Sequence, residues 1–143
     1  MSGTEPYAKP IPDLNDPDMG PFWTATRERR LTAQKCLECG ALRFPAIPIC
    51  ESCLSERFEW ADVSPRGTIW SYVVYHRAFH PGFAAEVPYV VALVENDDGL
   101  RFTGQVRGPR EQIAVGSRVT AHFDRATEEF TMVQWTVSGN ESR

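Results

Sequence analysis

The sequence has no apolar run near the roughly 18 residues that a membrane-spanning helix requires, so no transmembrane helix is expected. Met1 to Gly20 lacks the apolar stretch of a secretory signal, which predicts an intracellular, cytoplasmic chain. Basic residues are in deficit: 15 Lys and Arg stand against 19 Asp and Glu, for a formal net charge of −4 and a pI near 5.4. Division at residue 60 leaves −2 on each side (7 basic against 9 acidic, then 8 against 10), so neither half is a basic arm. A nucleic-acid partner wants a clustered basic excess and is therefore disfavoured. There is no Gly-rich phosphate loop, no Ser/His/Asp ordering with a motif around it, and no internal repeat. What remains is a globular chain of 143 residues, long enough for one ordinary domain or two small ones sharing a seam.

Cysteine is the strongest positive signal. The four fall as Cys36-Leu37-Glu38-Cys39, then ten residues, then Cys50-Glu51-Ser52-Cys53. Each Cys-x-x-Cys knuckle points two thiolates at one centre, and zinc takes four such ligands at about 2.3 Å. Gly40 supplies the positive φ that lets backbone amides face sulfur, whereas Leu54 holds that place in the second knuckle and predicts a less ideal turn. Two disulfides would use the same four residues, but a reducing cytosol disfavours them. Four thiolates close the shell, while a catalytic zinc keeps a position open for water. The metal is thus read as one structural clip for a ribbon of residues 31–60, too small to fold on apolar burial alone. Spacing by itself leaves zinc and iron both open.

Around the ribbon the chain divides into an arm at 1–21, a helix plus ribbon at 22–60, a barrel at 61–137 and a tail at 138–143. The arm carries Pro6, Pro10, Pro12, Pro17 and Pro21, five of the 11 prolines, and is expected to be extended. Pro21 suits the first turn of a helix over Phe22–Arg30, with Asp18 as a candidate N-cap and Phe22, Ala25 and Thr26 on one face. Phe22 and Trp23 either staple this helix to the body or, with its arginines, line a groove for an anionic ligand. In the ribbon, 31–35, 42–44 and 58–60 read as strands.

From Gly67 onward the texture is all-β. Candidate strands are Thr68–Tyr75, Tyr89–Glu95, Leu100–Val106, Ser117–Phe123 and Phe130–Val137, rich in Val, Ile, Thr and aromatics. Asn96-Asp97-Asp98-Gly99 is a hairpin loop. Five short strands predict a small closed barrel of the OB type, in a mainly β protein, with Trp70 and Tyr72 as bulk on one strand face. One long loop, His76 to Pro88, interrupts the pattern, and loops of that length are often functional.

The order of these parts resembles a known family. Pro21-Phe22-Trp23 and Leu31 lead into Cys36-x-x-Cys39-Gly40, then Phe44-Pro45, Cys50-x-x-Cys53, Gly67-Thr68-Ile69-Trp70-Ser71-Tyr72, Pro88-Tyr89-Val90-Val91-Ala92-Leu93-Val94 and Val115-Gly116-Ser117-Arg118-Val119. Over about residues 20–135 the chain is similar to the acyl-CoA-associated zinc-ribbon/OB-fold family. Ala46 and Glu51 stand where that pattern often has proline, and neither is a metal ligand. The resemblance implies a rubredoxin-like zinc ribbon followed by an OB-fold. It also implies a non-catalytic accessory subunit that binds a thiolase-fold enzyme (thiolase, synthase, or carbon–carbon lyase of steroid breakdown) and helps place the acyl-CoA.

The residues agree with an accessory role, since all four cysteines are occupied by metal and none is left as a nucleophile. Under that role Arg27, Arg29 and Arg30 are candidates for CoA phosphates, because guanidinium forks suit phosphate oxygens. Phe79, His80 and Phe83 are candidates for reaching a partner's active site across an interface. His76 and His122 read as surface residues. Two rival classes are a single-strand nucleic-acid module using Trp70, Tyr72 and Tyr75, and a rubredoxin-like electron carrier, which would be red with iron.

Overall fold

The computed structural model describes residues 7–137, so the first six residues of the expected arm and the expected tail at 138–143 lie outside the described part. The short helix α1 spans Gly20–Arg27. Strands β1 (Thr32–Cys36), β2 (Leu42–Arg43) and β3 (Phe58–Asp62) form a three-stranded antiparallel sheet in the order β2-β1-β3. Strands β4 (Arg66–Tyr75), β5 (Tyr89–Asn96), β6 (Arg101–Arg107), β7 (Arg118–Arg125) and β8 (Thr131–Val137) close a barrel in the order β4-β5-β6-β8-β7. The fold is mainly β, with a zinc-ribbon module and a five-stranded OB barrel, as the strand pattern predicts.

Alternation along β5 shows why the barrel closes: Val90, Ala92, Val94 and Asn96 turn inward and are buried. They meet Ile69, Phe102, Val106, Val119 and a fully buried Trp135. All pairings are antiparallel except β6–β8, which runs parallel at Val106↔Trp135 and Arg107↔Thr136. Asn96 closes the hairpin by accepting the Leu100 amide at 2.9 Å and donating to the Ser64 carbonyl at 3.0 Å.

The expectation for β4 needs a correction. A register shift between Ile69 and Ser71 breaks the alternation, so Ile69 is the core residue and Trp70 is 51% exposed. A bulge adds one residue to one strand and re-aims the side chains beyond it. Tyr72 still turns inward, half-buried, whereas Ser71 and Val73 face outward beside Trp70.

The helix also differs from its sequence reading at both ends. Met19, not Asp18, is the N-cap, and the Asp16 carboxylate accepts the Met19 amide at 3.1 Å. The helix stops at Arg27 because Arg29 adopts φ +62°. The Arg29 amide then donates to the Thr26 carbonyl and the Arg30 amide to the Ala25 carbonyl, the paired bonds that satisfy a helix C-terminus. Arg29 and Arg30 therefore lie beyond the helix. The buried face is Phe22, Ala25 and Thr26. Phe22 packs on Phe44 of the ribbon at 4.9 Å, Trp23 on Phe130 of the barrel at 5.4 Å, and the Thr26 hydroxyl donates to the Thr131 carbonyl at 2.9 Å. Both aromatic residues staple the helix to the body.

From Tyr7 the arm lies against its own chain. Tyr7 meets Phe130 ring to ring at 6.4 Å, and Lys9 pairs with Glu86 while its ammonium sits 4.7 Å from the centre of the Phe83 ring.

Gly67 marks the tightest point of the barrel, where β4 pairs with β5 and β7 at once. A Cβ there would lie 2.6 Å from the Glu95 carbonyl oxygen and 2.9 Å from Asn96 Cα, backbone atoms that cannot swing away. Gly67→Ala is expected to destabilise the protein by about 1–3 kcal/mol through overpacking. Urea unfolding checks this as a lower midpoint at unchanged slope.

Candidate metal centre and apolar cleft

The three-stranded sheet brings the two knuckles together. The Gly40 amide donates to the Cys36 carbonyl at 3.0 Å and the Leu54 amide to the Cys50 carbonyl at 2.8 Å. Both turns use the left-handed region, Gly40 at φ +79° and Leu54 at φ +66°. Leu54 therefore adopts the strained conformation that its side chain disfavours, which is the less ideal turn expected of the second knuckle. All four Sγ atoms lie within 4.8 Å of one another, with Cys36–Cys53 at 3.5 Å and Cys39–Cys50 at 3.6 Å. A tetrahedron with 2.3 Å bonds has an edge of about 3.8 Å, so the donor set fits zinc, and the sulfurs stand far beyond disulfide length.

Sulfur charge is shared unevenly within this group. The Cys39 amide, against burial and helped by the Glu38 amide, pulls the Cys36 thiol down to about 6. At Cys53 the Ser55 amide acts downward, but burial and the neighbouring thiols push it up to about 12. Four adjacent thiolates are sustained together only by a cation at their centre. Cys36, Cys39, Cys50 and Cys53 thus form a donor set that fits one structural zinc.

A second feature lies at the seam between ribbon, helix and barrel: an apolar cleft of about 720 Å³. Its floor comes from Phe22, Phe44, Phe102 and Val133, and Trp23 and Met132 form one wall. The long loop, which carries a short 3-10 turn at Pro81–Phe83, also lines it. Phe79, His80 and Phe83 all line this cleft, so three of the candidate contact residues are brought together. Tyr89 stacks on both Tyr75, at 5.1 Å, and Phe83, at 5.0 Å. His80 Nδ1 accepts the Gly82 amide at 3.0 Å, which leaves the proton of the neutral ring on Nε2. Burial works against charge on Glu86, yet bonds from Lys9 and Gln105 hold its carboxyl below the ordinary value and tie arm, loop and β6 together.

The candidate arginines do not join this cleft. Arg27 faces a separate polar hollow with Thr24, Glu28, Arg125 and Glu128, and Trp23 stands between that side and the cleft. Arg30 is held by Glu28 and Asp62. The cation at the cleft is instead Arg101, stacked 4.0 Å from the Trp70 ring and paired with Glu95. Reading by sequence misses Arg101 and Tyr89, and offers Tyr75 only to a nucleic-acid platform. The tyrosines carry a usable signal, since residues flanking a long hairpin loop become cross-strand partners. Exposed His76 and half-buried His122 lie away from the cleft.

A family model for the ChsH2 rubredoxin-like zinc ribbon domain matches residues 23–59, and one for the ChsH2 C-terminal OB-fold domain matches residues 60–124. A probable enoyl-CoA hydratase alpha subunit of Thermomonospora curvata is 38% identical over 87% of this chain, but this chain spans only 38% of that protein's length. The benzoylsuccinyl-CoA thiolase subunit BbsA of Thauera aromatica is 30% identical over 76% of both chains. Among solved structures, a chain of an Ltp2-ChsH2(DUF35) aldolase superposes with a TM-score of 0.81 and 32% identity, covering 89% of this chain and 99% of that one.

Elemental analysis of protein purified without chelators is expected to find one zinc per chain. Cys39→Ser is expected to lose it, with faster amide exchange over residues 32–62 and retained protection in β5 and β7. Structural zinc contributes on the order of 10 kcal/mol to small ribbons, so the loss reaches the whole module.

Proposed function

The chain belongs to the DUF35 family of ChsH2-type proteins, and on that premise we propose that it is a non-catalytic accessory subunit of a thiolase-fold acyl-CoA enzyme. The partner class is a thiolase, a synthase, or a carbon–carbon lyase such as a steroid side-chain aldolase, working in the cytoplasm. The observation that carries this reading is the aromatic cleft and the apolar surface beside it. Phe79 is 73% exposed, Val73 53% and Trp70 51%, on the outer side of β4 and the loop that follows it. Val91 and Leu93 stand opposite Val73 and Ser71 on β5 and extend that strip. An apolar strip at the mouth of an apolar cleft suits a partner that covers both.

In this reading the acyl group of the CoA thioester occupies the cleft between Phe79, Phe83 and Trp23, and the partner closes it from above. His80 offers Nε2–H as a donor toward a carbonyl. The CoA phosphates fall to the arginines beyond Trp23, Arg27 before Arg29 and Arg30, because Arg30 already has two carboxylates. Relatives named as subunits of a thiolase and a hydratase, and a neighbour from an aldolase, support the accessory role. A chain with no free cysteine and no paired acid and base at its cleft lacks the means to cleave a thioester alone.

Co-expression with a thiolase-like subunit from the same genome, followed by size-exclusion chromatography, tests the proposal. The two are expected to elute together at micromolar concentration. Replacing Phe79 and Val73 with Ser, both exposed and outside the barrel core, is expected to weaken the complex by about 1–4 kcal/mol. Separate elution with and without acyl-CoA, or robust thiolysis by the purified chain alone, overturns the reading.

A further inference from the structure

Arg43 is a buried cation. It is 9% exposed, its Nε and one terminal nitrogen are fully buried with no hydrogen-bond partner, and the other reaches only the Ile47 carbonyl at 3.4 Å. Among the described residues no carboxylate pairs with it. A guanidinium removed from water and left unpaired is among the costlier arrangements in a protein interior. Its place in the sheet shows what compensates it. Gln34 stands opposite Arg43, and Cys36 stands opposite Phe58. Opposed residues share a face, as do residues two apart on a strand, so Gln34, Cys36, Arg43 and Phe58 all project to one side. The Arg43 guanidinium lies 5.2 Å over the Phe58 ring, so its side chain crosses β1 toward the position beside Cys36. The charges nearest in sequence are of little help there. Lys35 points to the opposite face, and Arg57 is exposed and paired with Glu38.

Zinc bound by four thiolates carries a net charge of −2, in a module whose only buried cation among the described residues is this one. We propose that Arg43 is the built-in countercharge of the zinc–tetrathiolate centre and sets how tightly the ribbon retains its metal. The two charges stabilise each other across the short span of one strand, in a medium that screens poorly. By linkage, the metal lowers the penalty of burying Arg43 as much as Arg43 favours the metal. Gln34 completes the arrangement by accepting the Ile47 amide at 3.0 Å through its neutral side chain, which leaves the guanidinium free of a competing carboxylate. The inference concerns the ribbon's own chemistry and stands apart from the accessory role.

Zinc retention by the full-length, zinc-loaded protein tests it, read as transfer to a chromogenic chelator. Arg43→Met keeps the length and apolar stem but removes the charge, and is expected to give up zinc at least tenfold more readily. Arg43→Lys keeps the charge without the fork, and is expected to stay within about threefold of the parent. Gln34→Glu places a carboxylate opposite Arg43, and is expected to weaken retention severalfold with Arg43 still present. Retention by Arg43→Met within twofold of the parent overturns the proposal. So does equal loss in Arg43→Lys and Arg43→Met, which would assign Arg43 the role of a strut to Ile47. If circular dichroism shows that Arg43→Met does not fold, Gln34→Glu decides, and unchanged retention there overturns the proposal.

Discussion

Four thiolates within 4.8 Å of one another repel unless a cation sits among them, and this constraint organises the N-terminal half of the molecule. Three strands of five, two and five residues make too small a sheet to hold itself together by burial. The metal ties the knuckle after β1 to the knuckle before β3. Everything between them, including the crossover that carries Phe44, Pro45 and Ile47, inherits its position from that tie. Leu54 adopting a left-handed conformation shows that the closed shell outweighs local backbone preference.

The ribbon reaches the barrel through aromatic rings. Trp23 meets Phe22 at 4.9 Å, Phe22 meets Phe44 at 4.9 Å, Phe44 meets Phe102 at 4.4 Å, and Phe102 meets the fully buried Trp135 at 6.1 Å. One continuous run of rings therefore joins helix, metal module and barrel core. Offset and tilted ring contacts add specific geometry to ordinary apolar burial. The cleft opens along this run, so its floor belongs to all three parts and its shape depends on their joint placement. Metal chemistry and the cleft are thus mechanically connected although no cysteine lines it.

Much of this was legible in the residues. The paired Cys-x-x-Cys knuckles, the five barrel strands, the helix face of Phe22, Ala25 and Thr26, and the position of the long 76–88 loop all come from spacing and period. These features rest on local rules, where a residue's neighbours in sequence are also its neighbours in space. Strand ends shifted by one or two residues, as expected where termini fray. The helix is shorter than its pattern implies because Arg29, a poor residue for a left-handed cap, takes that conformation, and the Thr26 and Ala25 carbonyls that accept from Arg29 and Arg30 make the turn favourable.

The amino-acid order by itself determined the metal site and the class of fold, because thiolate spacing and β periodicity are short-range properties. Tertiary structure alone decided which face of β4 carries Trp70, since a one-residue bulge reverses the alternation without leaving a mark on composition. It decided that Arg30 is spent on Glu28 and Asp62 while Arg101 stands at the cleft. It also decided that Arg43 is a buried charge that no carboxylate pairs with among the described residues. Charges and aromatic rings act over distances set by packing, and packing brings together residues that no local rule pairs.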